Sequence, residues 1–543
     1  MPTLRALAFA LLALIGLTGP VGAKDELVIG ITQFPSTLHP SIDSMMAKSY
    51  VLGMARRPFT AHDAQWRLVC MLCVELPTLE NGLAKIEGKG VALTYAIQPK
   101  ATWGDGTPVT SKDVVFAWKV GREPTTGLAN QELYTRITAI DVVDERTFTL
   151  HVDRLTFDYN AIHDLDVLPA HLEAEAFARP AEYNTRTTYQ TNPTHPGLWF
   201  GPYRVAEVSR GSHIVLEPNP TWWGAKPAFR RIVVKAIENT QAMEANLLSG
   251  SIDMIAGELG LSVEQALAFE KRNGARFAVT YKPALFYEHI DMNLSNPALA
   301  DRRVRQALLL GLDRETMTRQ LFEGRQPVAH GMLSPLDSMH AEVTRWPHDP
   351  ARAAALLDEA GWKGAPRRNA KGEPLALELT TTAGNRTREL VEQVLQSQWR
   401  KLGVDIRIRN EPARVLFGET LPRRRLSGMA LYAWISSPEN VPRSTLHSSM
   451  IPAESNGWSG QNTGGYVNPE VDRLIDAIEI ELDETKRRAL WRDLQEIYAT
   501  ELPALPLFWR AEAHVLPLWL KGVAPTGHLG PTTLWVETWR PEG

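Results

Sequence analysis

The sequence predicts a mixed α/β protein built from more than one lobe, on three observations. Strand-like and helix-like segments alternate along the whole chain, so neither an all-helical nor an all-β reading fits. Removing the amino-terminal segment leaves about 520 residues, more than one hydrophobic core usually organises. The composition, 44% hydrophobic and 22% charged, is that of an ordinary globular protein without a low-complexity tract or repeat.

The amino terminus sets the compartment. Arg5 precedes an apolar run from Ala6 to Leu17, then Gly19-Pro20 and Val21-Gly22-Ala23, a small-x-small cleavage site. This is the pattern of a secretory signal peptide over residues 1–23, cleaved after about Ala23. The run is too short for a membrane-spanning helix, which needs ~20 apolar residues. No cysteine follows it to carry a lipid, so a Gram-negative periplasm is the expected location. A formal net charge of −4 gives no reason to expect a nucleic-acid partner.

The elements follow in chain order. Leu27-Val28-Ile29-Gly30-Ile31 reads as a buried strand. Trp103-Gly104-Asp105-Gly106 is a turn, with Thr110 or Ser111 as the cap of a helix that carries Asp113 in its first turn. Thr147–Val152 alternates as a half-exposed strand, and His213–Leu216 and Arg231–Ile237 read as two more. Asp349-Pro350 opens a helix that stops at Gly361. Leu375–Thr380 is a strand, and from Thr387 to Leu402 the residues Leu390, Val391, Val394, Leu395 and Trp399 form a helical stripe. Gly403 ends it, and the alternating strand Val404–Ile408 begins at once. Asn468-Pro469 opens a helix with Val471, Leu474, Ile475 and Ile478 on one face. A last helix, Glu484 to about Thr500, buries Leu490, Trp491, Leu494 and Ile497.

Two cysteines, Cys70 and Cys73, stand two residues apart. In an oxidising compartment they can close a local disulfide, whereas a redox or zinc role wants a helix-opening context or further close ligands, and neither is visible. Enzyme signatures are also missing: there is no G-x-S-x-G elbow, no H-E-x-x-H helix and no phosphate loop. No metal site and no cofactor are expected, and no catalytic residue is assigned.

Several segments, read in order, resemble one family. The strongest is W-G-D-G-T-P-V-T-S-K-D-V-V-F-A-W, Trp103 to Trp118; others are G-P-Y at Gly201, N-P-T-W-W at Asn219 and G-S-I-D-M at Gly250. H-I-D-M-N at His289, D-R-R-V-R-Q-A-L-L-L-G-L-D-R at Asp301, D-P-A-R-A-A-A-L-L-D-E-A-G-W at Asp349 and N-P-E-V-D-R-L-I at Asn468 complete the series. Together they are similar to the dipeptide, oligopeptide and nickel-binding extracellular solute-binding proteins, family 5. The resemblance implies a two-lobed periplasmic binding protein with a hinge and an additional inserted domain. It places lobe I at 24–55, 191–285 and 505–543, the inserted domain at 56–190, and lobe II at 286–504. It also implies a monomer that closes on a peptide or small-molecule ligand and hands it to an inner-membrane ABC permease with its ATPase, without turnover.

Two stretches are similar to cleft segments of that family. One is the loop leaving the first strand, with Gln33, Phe34, Ser36 and Thr37. The other is Ala433 to Pro442, similar to the family's G-W-x-x-D loop; Trp434 offers an aromatic face, and Ile435, Ser436, Ser437, Glu439 and Asn440 stand beside it. Peptide-binding members carry an aspartate shortly after that tryptophan, paired with the ligand's amino terminus. This chain has Ile435-Ser436-Ser437 instead. Either Glu439 takes that role, or the ligand lacks an amine and is an opine, a glycoside or a metal chelate. Tyr287 and His289 are further candidates, with His289 read as a hydrogen-bonded residue before a metal ligand.

Overall fold

The computed structural model describes residues 24–542 apart from 44, 413–414, 457 and 459; the expected signal peptide lies outside the described residues. One ten-stranded sheet runs through both lobes. In the order in which the strands pair, it comprises Asp405–Ile408, Ala376–Thr380, Met429–Ile435, Phe277–Met292, Ala504–Pro517, Met254–Ile255, Glu26–Ile31, Arg231–Ala236, His213–Pro218 and Tyr203–Ser209. The strands expected from the sequence are all present, and so are the helices Pro350–Glu359, Arg386–Lys401, Pro469–Ile480 and Glu484–Glu501.

Phe277–Met292 and Ala504–Pro517 are the long members, and they carry the sheet from one lobe to the other. They pair antiparallel along most of their length, with a register shift between Pro283 and Phe286. At that irregularity Leu285 turns its backbone elsewhere: its N–H donates to the Gly527 carbonyl, 2.8 Å, and its carbonyl accepts from Ser436 N–H, 3.2 Å. Such an irregularity bends and twists a strand pair locally.

Separate cores lie on either side. In the first lobe, Leu27, Ile29, Tyr50, Trp199, Ile232 and Trp539 are packed together. In the second, Leu308, Leu377, Trp399, Leu431 and Leu505 are. The helix Arg386–Lys401 shows how the sequence builds the latter. Asn385 accepts from Arg388 N–H as the cap, Val391, Leu395 and Trp399 recur four residues apart and are buried, and Gly403 takes φ 80° at the stop. Each such large side chain stabilises by roughly 1.5–3 kcal/mol when fully buried. Trp399 Nε1–H, taken out of water with it, donates to the Leu308 carbonyl at 2.8 Å.

The inserted unit has its own four-stranded antiparallel sheet, ordered Ala84–Glu87, Gly90–Ala96, Thr147–Val152 and Ile137–Val142, over a core with Tyr95, Trp103 and Phe148. Its tryptophan-rich signature is a structural lock. Thr110 caps the helix Ser111–Arg122, and the Asp113 carboxylate accepts from Thr110 N–H at 2.8 Å, Ala170 N–H at 3.0 Å and Trp103 Nε1–H at 3.3 Å. Cys70 and Cys73 are joined by a disulfide, their Cα atoms 5.2 Å apart.

Candidate functional site

Three neighbouring strands put a row of side chains on one face of the sheet. Leu285, Tyr287, His289 and Asp291 recur at every second position of Phe277–Met292 and so point the same way. Met429–Ile435 sets Trp434 opposite Tyr287 on one side, and Ala504–Pro517 sets Trp509 opposite it on the other. These residues floor a cavity of about 1050 Å³, including the solvent at its mouth. The loop around Ser436 and Asn440, the segment Gln461–Tyr466, and Trp491 and Tyr498 of the last long helix complete the walls.

The floor is aromatic. Tyr287 stacks on His289 and on Trp509, with ring centroids 4.9 Å apart in both cases, and Tyr432 meets His289 edge-on at 4.7 Å. Tyr287 and Tyr498 hydroxyls are hydrogen-bonded to each other at 3.0 Å, which satisfies both in a buried setting. Trp491 Nε1–H is buried in the wall without an acceptor among the described residues.

Among the described residues that line the cavity, Asp291 is the one carboxylate, and there is no lysine or arginine. Tyr432 donates its hydroxyl to Asp291 Oδ2, Thr463 donates to the same oxygen at 3.2 Å, and His289 Nε2 lies 3.4 Å from Oδ1. His289 Nδ1–H is spent on the Tyr287 carbonyl, 3.0 Å away, which aims Nε2 at the carboxylate. Burial works to push the Asp291 carboxyl up, but the hydrogen bonds and charge of His289 and the hydroxyls of Tyr432 and Thr463 outweigh it, holding the group below the usual carboxylate range. The cavity therefore presents a carboxylate among aromatic faces, met on one side by His289, Tyr432 and Thr463.

Of the residues singled out from the sequence, Tyr287, His289, Trp434, Ile435, Ser436 and Asn440 line this cavity. The others stand outside its lining. Glu439 adopts φ 56°; its carboxylate accepts from the Ser338 hydroxyl and lies 3.8 Å from Arg487, so it is engaged within its own surroundings. Ser437 accepts from Asn440 N–H through its carbonyl, 3.3 Å. In the amino-terminal loop Gln33 is exposed, Phe34 packs against the first-lobe core, Ser36 donates to Asp43, and Thr37 Oγ1 accepts from His39 N–H at 3.1 Å. Asp291, Trp491 and Trp509 were not singled out. For Asp291 the signal was available: it continues the two-residue spacing of Tyr287 and His289.

Residues 58–450 match the bacterial extracellular solute-binding proteins, family 5, in that family's middle region. The chain belongs to this family. Family 5 proteins are ligand-binding components that work with an ABC permease and its ATPase. Among similar proteins, the oligopeptide-binding protein AppA of Bacillus subtilis is 25% identical over 509 residues, covering 92% of this chain and 88% of its own. The nickel-binding periplasmic protein of Escherichia coli is 22% identical, covering 93% of each chain. The crystal structure of the oligopeptide-binding protein from Thermus thermophilus, complexed with a pentapeptide, superposes with a TM-score of 0.83 at 28% identity and covers 96% of both chains. The cavity sits beside the two long strands, and its lining residues all fall between Leu285 and Trp509.

Proposed function

We propose that this family 5 protein is exported by a signal peptide cleaved near Ala23 to the periplasm, where it captures a peptide or similarly sized polar solute by a cationic group. The lobe boundaries assigned from the sequence belong to this reading. The observation that carries it is the pairing of Asp291 with an aromatic floor in a cavity lined by no lysine or arginine among the described residues. An ammonium set against Asp291 gains a charge-assisted hydrogen bond and the faces of Tyr287, Trp434 and Trp509. Similarity to oligopeptide-binding proteins supports a peptide, with its amino terminus as the cation. The protein then delivers the ligand to the permease of an ABC importer, chemically unchanged.

The test is a thermal-shift and calorimetric screen of free peptides, the same peptides N-acetylated, opines and glycosides. A ligand at a hundredfold excess over Kd adds about 2.7 kcal/mol of stability. Free peptides are expected to shift the melting temperature, their acetylated forms are not, and prolonged incubation returns the peptide intact. Equal binding of acetylated and free forms sinks the cationic reading.

A further inference from the structure

A second polar cluster lies on the first-lobe side of the hinge. Glu258 follows the short strand Met254–Ile255, while Glu512 and His514 stand two residues apart on the crossing strand Ala504–Pro517. One oxygen or nitrogen from each comes within 4.8 Å of the other two. Glu512 and His514 are 3% and 1% exposed, whereas Glu258 is only half-buried, which leaves the cluster a way in from solvent.

Each carboxylate is tied by one oxygen only. Thr532 N–H donates to Glu258 Oε1 at 2.9 Å, and His514 Nε2 lies 3.2 Å from Glu512 Oε2. The imidazole tautomer is set by its surroundings. Gly257 N–H donates to His514 Nδ1 at 3.2 Å, so the ring hydrogen is on Nε2 and is given to Glu512. Gly257 has to be glycine for this, because a Cβ there would lie 2.1 Å from His514 Nε2.

The other two oxygens, Glu258 Oε2 and Glu512 Oε1, are buried and have no donor among the described residues. Nearby basic groups are committed elsewhere: Arg510 lies 3.6 Å from Glu288, and Lys282, across the ladder from Glu512, donates to the Ala64 carbonyl at 3.3 Å. Two carboxylates this close, each with a buried oxygen that has no donor among the described residues, favour positive charge beside them.

We propose that Glu258 and Glu512 hold a hard divalent cation through these two oxygens, with His514 as a positioning residue. Because His514 Nε2 carries a hydrogen, the donor set is oxygen, which favours calcium or manganese over zinc, copper or nickel. The site stands at the carboxyl ends of the parallel strands Glu26–Ile31 and Met254–Ile255, where α/β sheets commonly hold ligands. With few protein oxygens the cation keeps several waters, and affinity falls in the range of extracellular calcium modules, Kd about 10⁻⁴–10⁻³ M. Occupancy links the Glu258 turn and the Thr532 segment to the crossing strand.

The experiment uses the whole mature chain, stripped with EDTA and dialysed, titrated with Mn²⁺ by electron paramagnetic resonance and with Ca²⁺ and Zn²⁺ by calorimetry. One Mn²⁺ per chain is expected, displaced by Ca²⁺. Glu512→Gln and Glu258→Gln each weaken it at least tenfold, while metal-free melting temperature and circular dichroism are maintained. Three results overturn the proposal. Absence of Mn²⁺ binding, with the carboxylates merely sharing a proton, is one; Mn²⁺ binding unchanged in both variants, hence located elsewhere, is another. Zn²⁺ binding without Mn²⁺ or Ca²⁺, lost in His514→Gln, makes the imidazole a ligand and is the third.

Discussion

His289 and Asp291 stand two positions apart on one face of a single strand, with His289 Nε2 3.4 Å from Asp291 Oδ1. The carboxylate of the cavity thus stands on the strand forming its floor, while the loop after Trp434 carries Ile435-Ser436-Ser437.

The first prediction concerns that carboxylate. Asp291→Asn keeps the shape and removes the charge, and loss of a hydrogen bond to a charged group costs about 1.5–3 kcal/mol. Calorimetry with a free-amine ligand should show an affinity loss of roughly 10- to 150-fold. Since the Asp291 carboxyl is held below its ordinary range, wild-type affinity should stay flat from neutrality down to about pH 5 as far as this group is concerned.

Trp434 is only partly buried and meets Tyr432 edge-on, ring centroids 5.4 Å apart. Trp434→Ala therefore removes a wall of the cavity more than a piece of core. Affinity should fall at least tenfold in the same calorimetric assay, with circular dichroism unchanged. Undiminished affinity would place the ligand elsewhere.

Glu288 holds the second lobe to the crossing strand. It is buried, with Arg388 Nε 2.6 Å from one carboxylate oxygen and Arg510 3.6 Å from the other. Burial raises its carboxyl, and the two guanidinium groups more than reverse that. Glu288→Ala leaves both cations without their partner, at a cost of roughly 3–5 kcal/mol. A lower urea midpoint and a lower melting temperature are expected at neutral pH.

Glu392 behaves in the opposite sense. Burial, with repulsion from Glu389, pushes its carboxyl up to about 7 from 4.5, against the hydrogen bond from Asn410. Between those values the folded chain holds a proton that the unfolded chain has released, so stability falls as pH rises through this window and the loss is complete above it. The contribution is roughly 2–3 kcal/mol after allowance for solvent screening. Glu392→Gln should raise the melting temperature at pH 8 and flatten its decline between about pH 5 and 7, as differential scanning calorimetry would show.

Periodicity made the scaffold legible. The stripe Val391, Leu395, Trp399 and the stop at Gly403 specify a helix and the strand after it, because apolar spacing and turn stereochemistry act locally. Cavity membership was legible only in part. Trp434 and Ser436 were identified through a resembling loop, whereas Trp509 and Trp491 reach the cavity by long-range packing that no local pattern records. Glu439 was a reasonable candidate by charge and position. Its carboxylate is drawn to Ser338 and Arg487, both remote from it along the chain and on opposite sides, and no local pattern announces such partners.

At Leu285 two roles fall on one residue. Its side chain lines the cavity while its amide and carbonyl are bonded to Gly527 and Ser436. A molecule resting on that one leucine therefore bears on the two successive peptide groups that tie the long strand to the Gly527 turn and the Ser436 loop.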